Sequence, residues 1–221
     1  MAFFALIRSC SRNKWVSLSE TYHHGDLKPA LIEAARELLR KEGADALSLR
    51  GIAAAVGVSH MAPYAHFKNK KELLQAVAAA GFDELTERMM AARKRTKRNR
   101  DLALNYGIEY INFALENPEF YRIMLSQVDP GGRVRAGTAR KKKAEIISAE
   151  LRASSQRPFQ LLYGTFANRR TSRKEAVSRA IGAWSLVHGM AALVIDGHLV
   201  VPQGMNVIDI FKASVGRARG T

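Results

Sequence analysis

Apolar residues recur at three- and four-residue spacing in successive segments of the chain, a period that predicts an all-α fold. The most informative stretch is LSLRGIAAAVGVSHMAPYAHFKNKKELL, from Leu47 to Leu74. Leu49, Ile52, Ala53 and Val56 make one apolar stripe, and Ser48 stands where an N-cap belongs. Gly57 stops that helix, because glycine takes the left-handed conformation without a Cβ clash. Ser59 is then expected to cap a second short helix that turns His60, Met61, Tyr64 and Ala65 outward. Two short helices across a glycine turn, with a third following, outline a helix-turn-helix whose second helix enters the major groove of DNA.

The flanking segments supply a frame. Leu27, Leu31, Ala34, Ala35, Leu38 and Leu39 predict a helix capped by Asp26 and stopped at Gly43, with Pro29 in its first turn. Asn69-Lys70-Lys71-Glu72 reads as a capping box opening a long helix with Leu73, Leu74, Val77, Ala78, Phe82, Leu85 and Met89 as its stripe. That helix runs into Arg93, Lys94, Arg95, Lys97, Arg98 and Arg100. A cationic last turn is favourable in its own right, so the run is read first as a solvated helix end. Asp101 to Glu116 predicts a further helix with Tyr106, Tyr110, Phe113 and Ala114 on one side. Pro118 restarts the chain with Phe120, Tyr121, Met124 and Leu125.

Asp129-Pro130-Gly131-Gly132 breaks the pattern, and the residues through Lys143 are basic. A helix from Ala144 to Ala153 is expected to be interrupted near Pro158, with no clear pattern from Phe159 to Arg173. From Lys174 to Ile195, Ala180, Ile181, Trp184, Val187, His188, Ala191 and Ile195 form a stripe. Gly182, Ser185, Gly189 and Ala192 put small residues on an adjacent strip. Small residues let helices approach closely, and a last helix, Val207 to Val215, offers Ile208, Phe211 and Val215 as an apolar partner face. Two such helices meeting their symmetry mates predict a four-helix dimer interface.

Charge changes this picture more than composition does. The 221 residues are 47% hydrophobic and 25% charged, ordinary for a chain with a buried core. Lys and Arg number 35 against 20 Asp and Glu, a net +15 that favours polyanionic partners and also suits an anionic effector. The single cysteine, Cys10, can form no intramolecular disulfide, which fits a reducing cytoplasm. The apolar run Met1 to Ile7 is too short for a signal peptide, so residues 1–20 are expected to be a disordered extension. The most apolar internal stretch, Ala183 to Ile195, carries His188 and is too short to span a membrane. His23 and His24 lack neighbouring ligands, and His60 and His66 do not share a zinc-ligand spacing, so no metal or other cofactor is expected. No phosphate-cradling glycine loop, metal-spaced cluster or nucleophile elbow is present, and no catalytic residue is assigned.

LSLRGIAAA followed by VGVSHMAPYAHFKNKKELL resembles the DNA-binding signature of TetR-type transcriptional regulators. YHHGDL at residues 22–27, with Trp184, His188 and Gly189, resembles the branch of that family with a WHG-type C-terminal domain. The resemblance implies a three-helix DNA-binding domain at residues 21–68 and a ligand-binding and dimerisation domain at residues 69–221. It also implies DNA contacts from Ser48, Arg50, Ser59, His60, Met61, Ala62, Tyr64, His66, Lys68 and Lys70. A ligand pocket is expected at Tyr106, Tyr110, Phe113, Tyr121, Met124, Trp184 and His188, although an aromatic stripe alone is usually plain core. The implied partners are a near-palindromic double-stranded operator, a small-molecule effector and a second copy of the chain, and repression is the commoner behaviour. Met61 stands where the family often has glycine, and Pro63 where it often has leucine, so no relative's operator carries over. An activator of the same type, or a basic helical protein binding DNA by charge alone, are the alternatives.

Overall fold

A computed structural model describes residues 27–128 and 147–216. Among them every regular element is a helix or a short 3-10 turn, in agreement with the all-α reading. Asp26, the paired histidines, the N-terminal extension with Cys10, and the basic segment after Val128 lie outside the described residues.

Helix α1 (Leu27–Glu42) buries Leu31, Ala35 and Leu39 at four-residue spacing and closes at Gly43, whose φ of 80° needs a glycine. Helix α2 (Leu49–Val56) begins where the Ser48 side chain accepts from the Gly51 N–H at 3.0 Å. It ends at Gly57, left-handed at φ 77°, as its sequence requires. Leu47, Ile52, Phe67 and Leu73 join the α1 residues in one apolar cluster, so α1, α2 and the start of the helix that follows at Lys70 hold one another.

Helix α3 (Lys70–Arg95) is the axis of the fold. Asn69 caps it by accepting from the Glu72 N–H at 3.0 Å, and the Glu72 carboxylate reaches back to the Lys68 N–H at 2.8 Å. Val77, Ala78, Phe82, Leu85, Met89 and Ala92 are buried on several sides of it. Helices α4 (Leu102–Glu116), α5 (Pro118–Val128) and α6 (Ala149–Phe166) pack around α3. Gly81 lets α5 come close, since a side chain there would collide with Met124 and Phe120. Arg88 bridges Glu84 on its own helix at 2.8 Å and Glu116 of α4 at 2.6 Å.

Helix α6 differs from its sequence reading, because it runs unbroken through Pro158. A proline removes one i→i−4 bond and crowds the carbonyl behind it. Leu151, Ser154, Pro158 and Leu162 all lie on the buried face, and packing against α3 outweighs that local cost. Helix α7 (Arg173–Ile195) crosses α4 and α6, capped by Ser172, and helix α8 (Val207–Gly216) lies on α4.

Candidate nucleic-acid interface and internal cavity

The residues after Gly57 do not form the expected second α-helix. They make a turn and one 3-10 segment, Ala62–Ala65, with Pro63 in its first turn. The reason is local. An α-helical register would have residue 63 donate its N–H to the Ser59 carbonyl, and proline has none. The bonds that form are the tighter i→i−3 kind, Ala62 N–H to Ser59 at 2.9 Å and Tyr64 N–H to Met61 at 3.1 Å. Ser59 therefore gives the turn its carbonyl, and no side-chain cap bond is made at the start of the segment.

Pro63 and Phe67 anchor this turn in the core, and the residues between point outward. Met61 is 60% exposed and Tyr64 42%, large apolar surfaces that folding alone would bury. Ser48, Arg50, Ser59, His60, His66, Lys68 and Lys70 are exposed too, with Ala62 half-buried among them. The Lys70 ammonium donates to the Ala44 carbonyl at 3.4 Å, tying the start of α3 to the loop before α2. Residues 21–72 hold eight Lys and Arg against six Asp and Glu, so this surface is only mildly basic.

A second feature lies among α4, α6, α7 and α8. A cavity of about 510 Å³ is lined by Tyr106, Gly107 and Tyr110 of α4, Leu162 and Phe166 of α6, Ala183, Trp184 and Val187 of α7, and Phe211 and Val215 of α8. Met89, Leu104, Arg100 and Arg179 complete much of its wall. Of the residues expected at a ligand pocket, Tyr106, Tyr110 and Trp184 line this cavity. Phe113 and Met124 lie in the core instead, Phe113 under the Arg88 guanidinium at 5.3 Å and Met124 against Gly81.

Tyr121 and His188 stand behind the cavity wall. The Tyr110 and Tyr121 hydroxyls meet at 2.9 Å, and the His188 ring centroid lies 4.8 Å from that of Tyr110 and 4.6 Å from that of Trp184. Burial pushes the Tyr110 phenol well up and the Tyr121 phenol up. Burial also lowers His188 below its ordinary value, against the smaller opposite effect of its bond to the Trp184 carbonyl. His188 Nδ1 lies 3.0 Å from that carbonyl, and a carbonyl only accepts, so the neutral ring carries its proton on Nδ1.

Phe211, expected on a dimer face, turns inward instead. It is 3% exposed, and a side chain at Gly107 would collide with its ring, so the Gly107 backbone and the Phe211 ring form one close contact. Val215 lines the same cavity, and Ile208 is half-buried. On α7 the small strip does face outward. Gly182, Ser185 and Gly189 are exposed and Ala192 partly so, joined by Ile181 at 52% and Leu193 at 46%. Ile181 leaves the inward stripe predicted for it. Helix α7 is also longer than the apolar stretch read from sequence, and it is long and apolar enough to cross a membrane by length and composition.

Comparison with known proteins bears on both features. Residues 31–77 match the family model for bacterial regulatory proteins of the tetR family. Residues 104–217 match the tetracyclin repressor-like C-terminal domain. The chain is 27% identical over 165 residues to the uncharacterized HTH-type transcriptional regulator YobS of Bacillus subtilis, covering 74% of this chain and 76% of that protein. It is 29% identical over 142 residues to the class D tetracycline repressor protein of Escherichia coli, covering 63% of this chain and 59% of that protein. The chain thus spans about three fifths of the length of that repressor. The backbone resembles the solved structure of a protein with unknown function from Rhodococcus sp. RHA1, with a TM-score of 0.71 and 27% identity over 89% of this chain and 95% of that one.

Proposed function

The chain belongs to the TetR family of transcriptional regulators, and from that premise we propose that it is a homodimeric, sequence-specific repressor released from its operator by a small-molecule effector. The observation that carries the reading is the exposed turn from Ser59 to His66, held by buried Pro63 and Phe67 yet presenting Met61 and Tyr64 to solvent. Such a surface serves contact with something outside the chain. In this reading Tyr64, His66, Lys68 and Lys70 hold phosphates and set the register, with Ser48 beside them. Arg50, Ser59, His60, Met61 and Ala62 meet base edges. Residues 21–68 are the DNA-binding domain and residues 69–221 the effector and dimer domain of a cytoplasmic protein. Trp184, His188 and Gly189 support placing it in the WHG-type branch.

The outer strip of α7 supports a dimer. Glycine in a helix interior costs about 1 kcal/mol relative to alanine. Among the described residues, a side chain at Gly182 or Gly189 would meet nothing within 4 Å, so none of them requires either glycine. A second copy pressing its α7 and α8 against this strip does. The exposed Ile181 and Leu193 are then covered by the partner, which also accounts for the apolar character of α7 without a membrane.

Release follows from α3, which has Lys70 in the head and Met89 in the cavity wall, about 28 Å apart along one helix. An effector shifts an equilibrium only by its differential affinity for two states, so it must favour a dimer whose heads no longer fit successive major grooves. An effector that fills the cavity and leaves operator affinity unchanged contradicts this account. Selection of bound sequences from random duplex DNA at near-physiological salt tests the reading itself. A palindromic motif, weakened by Arg50→Ala and Tyr64→Ala, is the expected result. Salt-sensitive binding with no motif, indifferent to both substitutions, would mean that charge alone does the binding.

A further inference from the structure

The cavity has an apolar interior and a cationic rim. Leu104, Leu162, Phe166, Val187 and Phe211 supply apolar wall; among the described residues Arg100 and Arg179 are the charged ones on its lining, and none of those residues places a carboxylate there. Each arginine belongs to a strongly basic segment. Residues 93–101 hold six Lys and Arg against Asp101, and residues 169–179 hold five against Glu175. These two short segments carry nine of the chain's fifteen net positive charges, whereas residues 21–72, with the DNA-reading turn, carry two. The far end of α3 is about 38 Å of helix from Lys70. Screening acts within about 8–10 Å at physiological salt, so phosphates at the head do not explain this charge.

We propose that the ligand of this cavity is an amphipathic anion, with its apolar part inside and one carboxylate or phosphate group held between Arg100 and Arg179. The proposal rests on the reading of the cavity as the effector site and names the chemistry of what fills it. Arg179 already meets Glu175 at 2.6 Å and Arg100 lies 3.9 Å from Asp101. A guanidinium has several N–H donors in a rigid fork and serves a second anion without giving up the first. Tyr106 adds a polar feature to the same wall: its hydroxyl is buried and makes no hydrogen bond among the described residues. An acceptor on the ligand would relieve it. A cationic amphiphile meets the opposite field and, among the described residues, finds no carboxylate on the lining to pair with.

The test uses Trp184, which lines the cavity, as a fluorescent reporter in full-length Trp15→Phe protein. The probes are decanoate, decyl phosphate, 1-decanol and decyltrimethylammonium below their aggregation concentrations, with acetate and inorganic phosphate as heads without chains. Saturable binding of decanoate or decyl phosphate, at least about tenfold tighter than the neutral and cationic chains and the bare heads, is expected. The order of the two anions tells a carboxylate from a phosphate. Arg100→Ala and Arg179→Ala, both surface changes, should each weaken anion binding about three- to tenfold and leave decanol unchanged. Equal binding of decanol or the cation, no binding by any probe, or anion binding indifferent to both substitutions overturns the proposal. Repeating the titration on selected operator DNA separates the two readings. Release by a compound of another charge class overturns the ligand chemistry alone, whereas failure to select any operator overturns the regulator and leaves the anion measurement standing.

Discussion

Removing one hydroxyl of the Tyr110–Tyr121 pair strands the other. The two meet at 2.9 Å behind the cavity wall, with both residues nearly inaccessible to water. Tyr121→Phe leaves the Tyr110 hydroxyl buried among Trp184, His188 and the new phenyl ring with no bond, at a cost of about 1–3 kcal/mol for a buried unsatisfied polar group. Tyr110→Phe strands the Tyr121 hydroxyl instead. The two rings are equally inaccessible, so the cost should fall in the same range of about 1–3 kcal/mol. The double variant leaves neither orphan and keeps both rings, so its cost should be less than the sum of the single costs. The expected coupling is about 1–2 kcal/mol. Denaturant unfolding of all four proteins at one protein concentration measures it, since the stability of a dimer depends on concentration. Additive single costs would show that the hydroxyls do not stabilise each other and would refute the reasoning.

Three further outcomes follow from named residues. Gly189→Leu should weaken self-association at least about tenfold in analytical ultracentrifugation while leaving helical content unchanged, because among the described residues nothing obstructs a side chain there and leucine favours helix; an intact dimer contradicts the interface. Burial lowers His188, so the unfolded chain takes up a proton that the folded chain refuses as pH falls below about 6.5. Wild-type stability should therefore drop from pH 7 toward about pH 5 more steeply than that of His188→Gln, by at most about 1.4 kcal/mol per pH unit, and parallel curves would contradict the assignment. Tyr106→Phe removes a hydroxyl that makes no bond, so thermal unfolding should show a change between none and about 1 kcal/mol of stabilisation, and a clear loss would mean that the hydroxyl has a partner.

What the chain declared in advance was local chemistry. Ser48, Gly57 and Gly43 mark helix ends whatever surrounds them, and the Asn69–Glu72 cap opens α3 as its spacing requires. Pro158 misled because the loss of one hydrogen bond is visible in sequence, whereas the burial of its face against α3 is not. Pro63 misled in the opposite sense. One missing N–H in a segment of four residues leaves too few i→i−4 bonds for an α-helix, and the segment tightens to 3-10. The pocket was legible only in its aromatic members. Its wall draws on α4, α6, α7 and α8, and Leu162, Phe166 and Phe211 carry no local mark of facing a cavity. Gly107, a glycine amid a helical pattern, was the available sign of a close approach, and the Phe211 ring is what approaches. Ile181 shows that a stripe read at helical spacing does not settle which side of a helix a boundary residue takes.

The central claim is that two reading turns are held at a fixed distance by a dimer and act together on one duplex. The most direct test measures affinity for the selected operator with its half-sites at natural spacing and with about 5 bp inserted between them. That insertion turns one half-site about half a helical turn away, where heads set about 34–36 Å apart, or a multiple of that, cannot both reach the major groove. The account predicts that affinity falls to the level of unrelated DNA. Unchanged affinity would mean that each head binds alone, and would contradict the coupling of dimer, cavity and DNA on which the function rests.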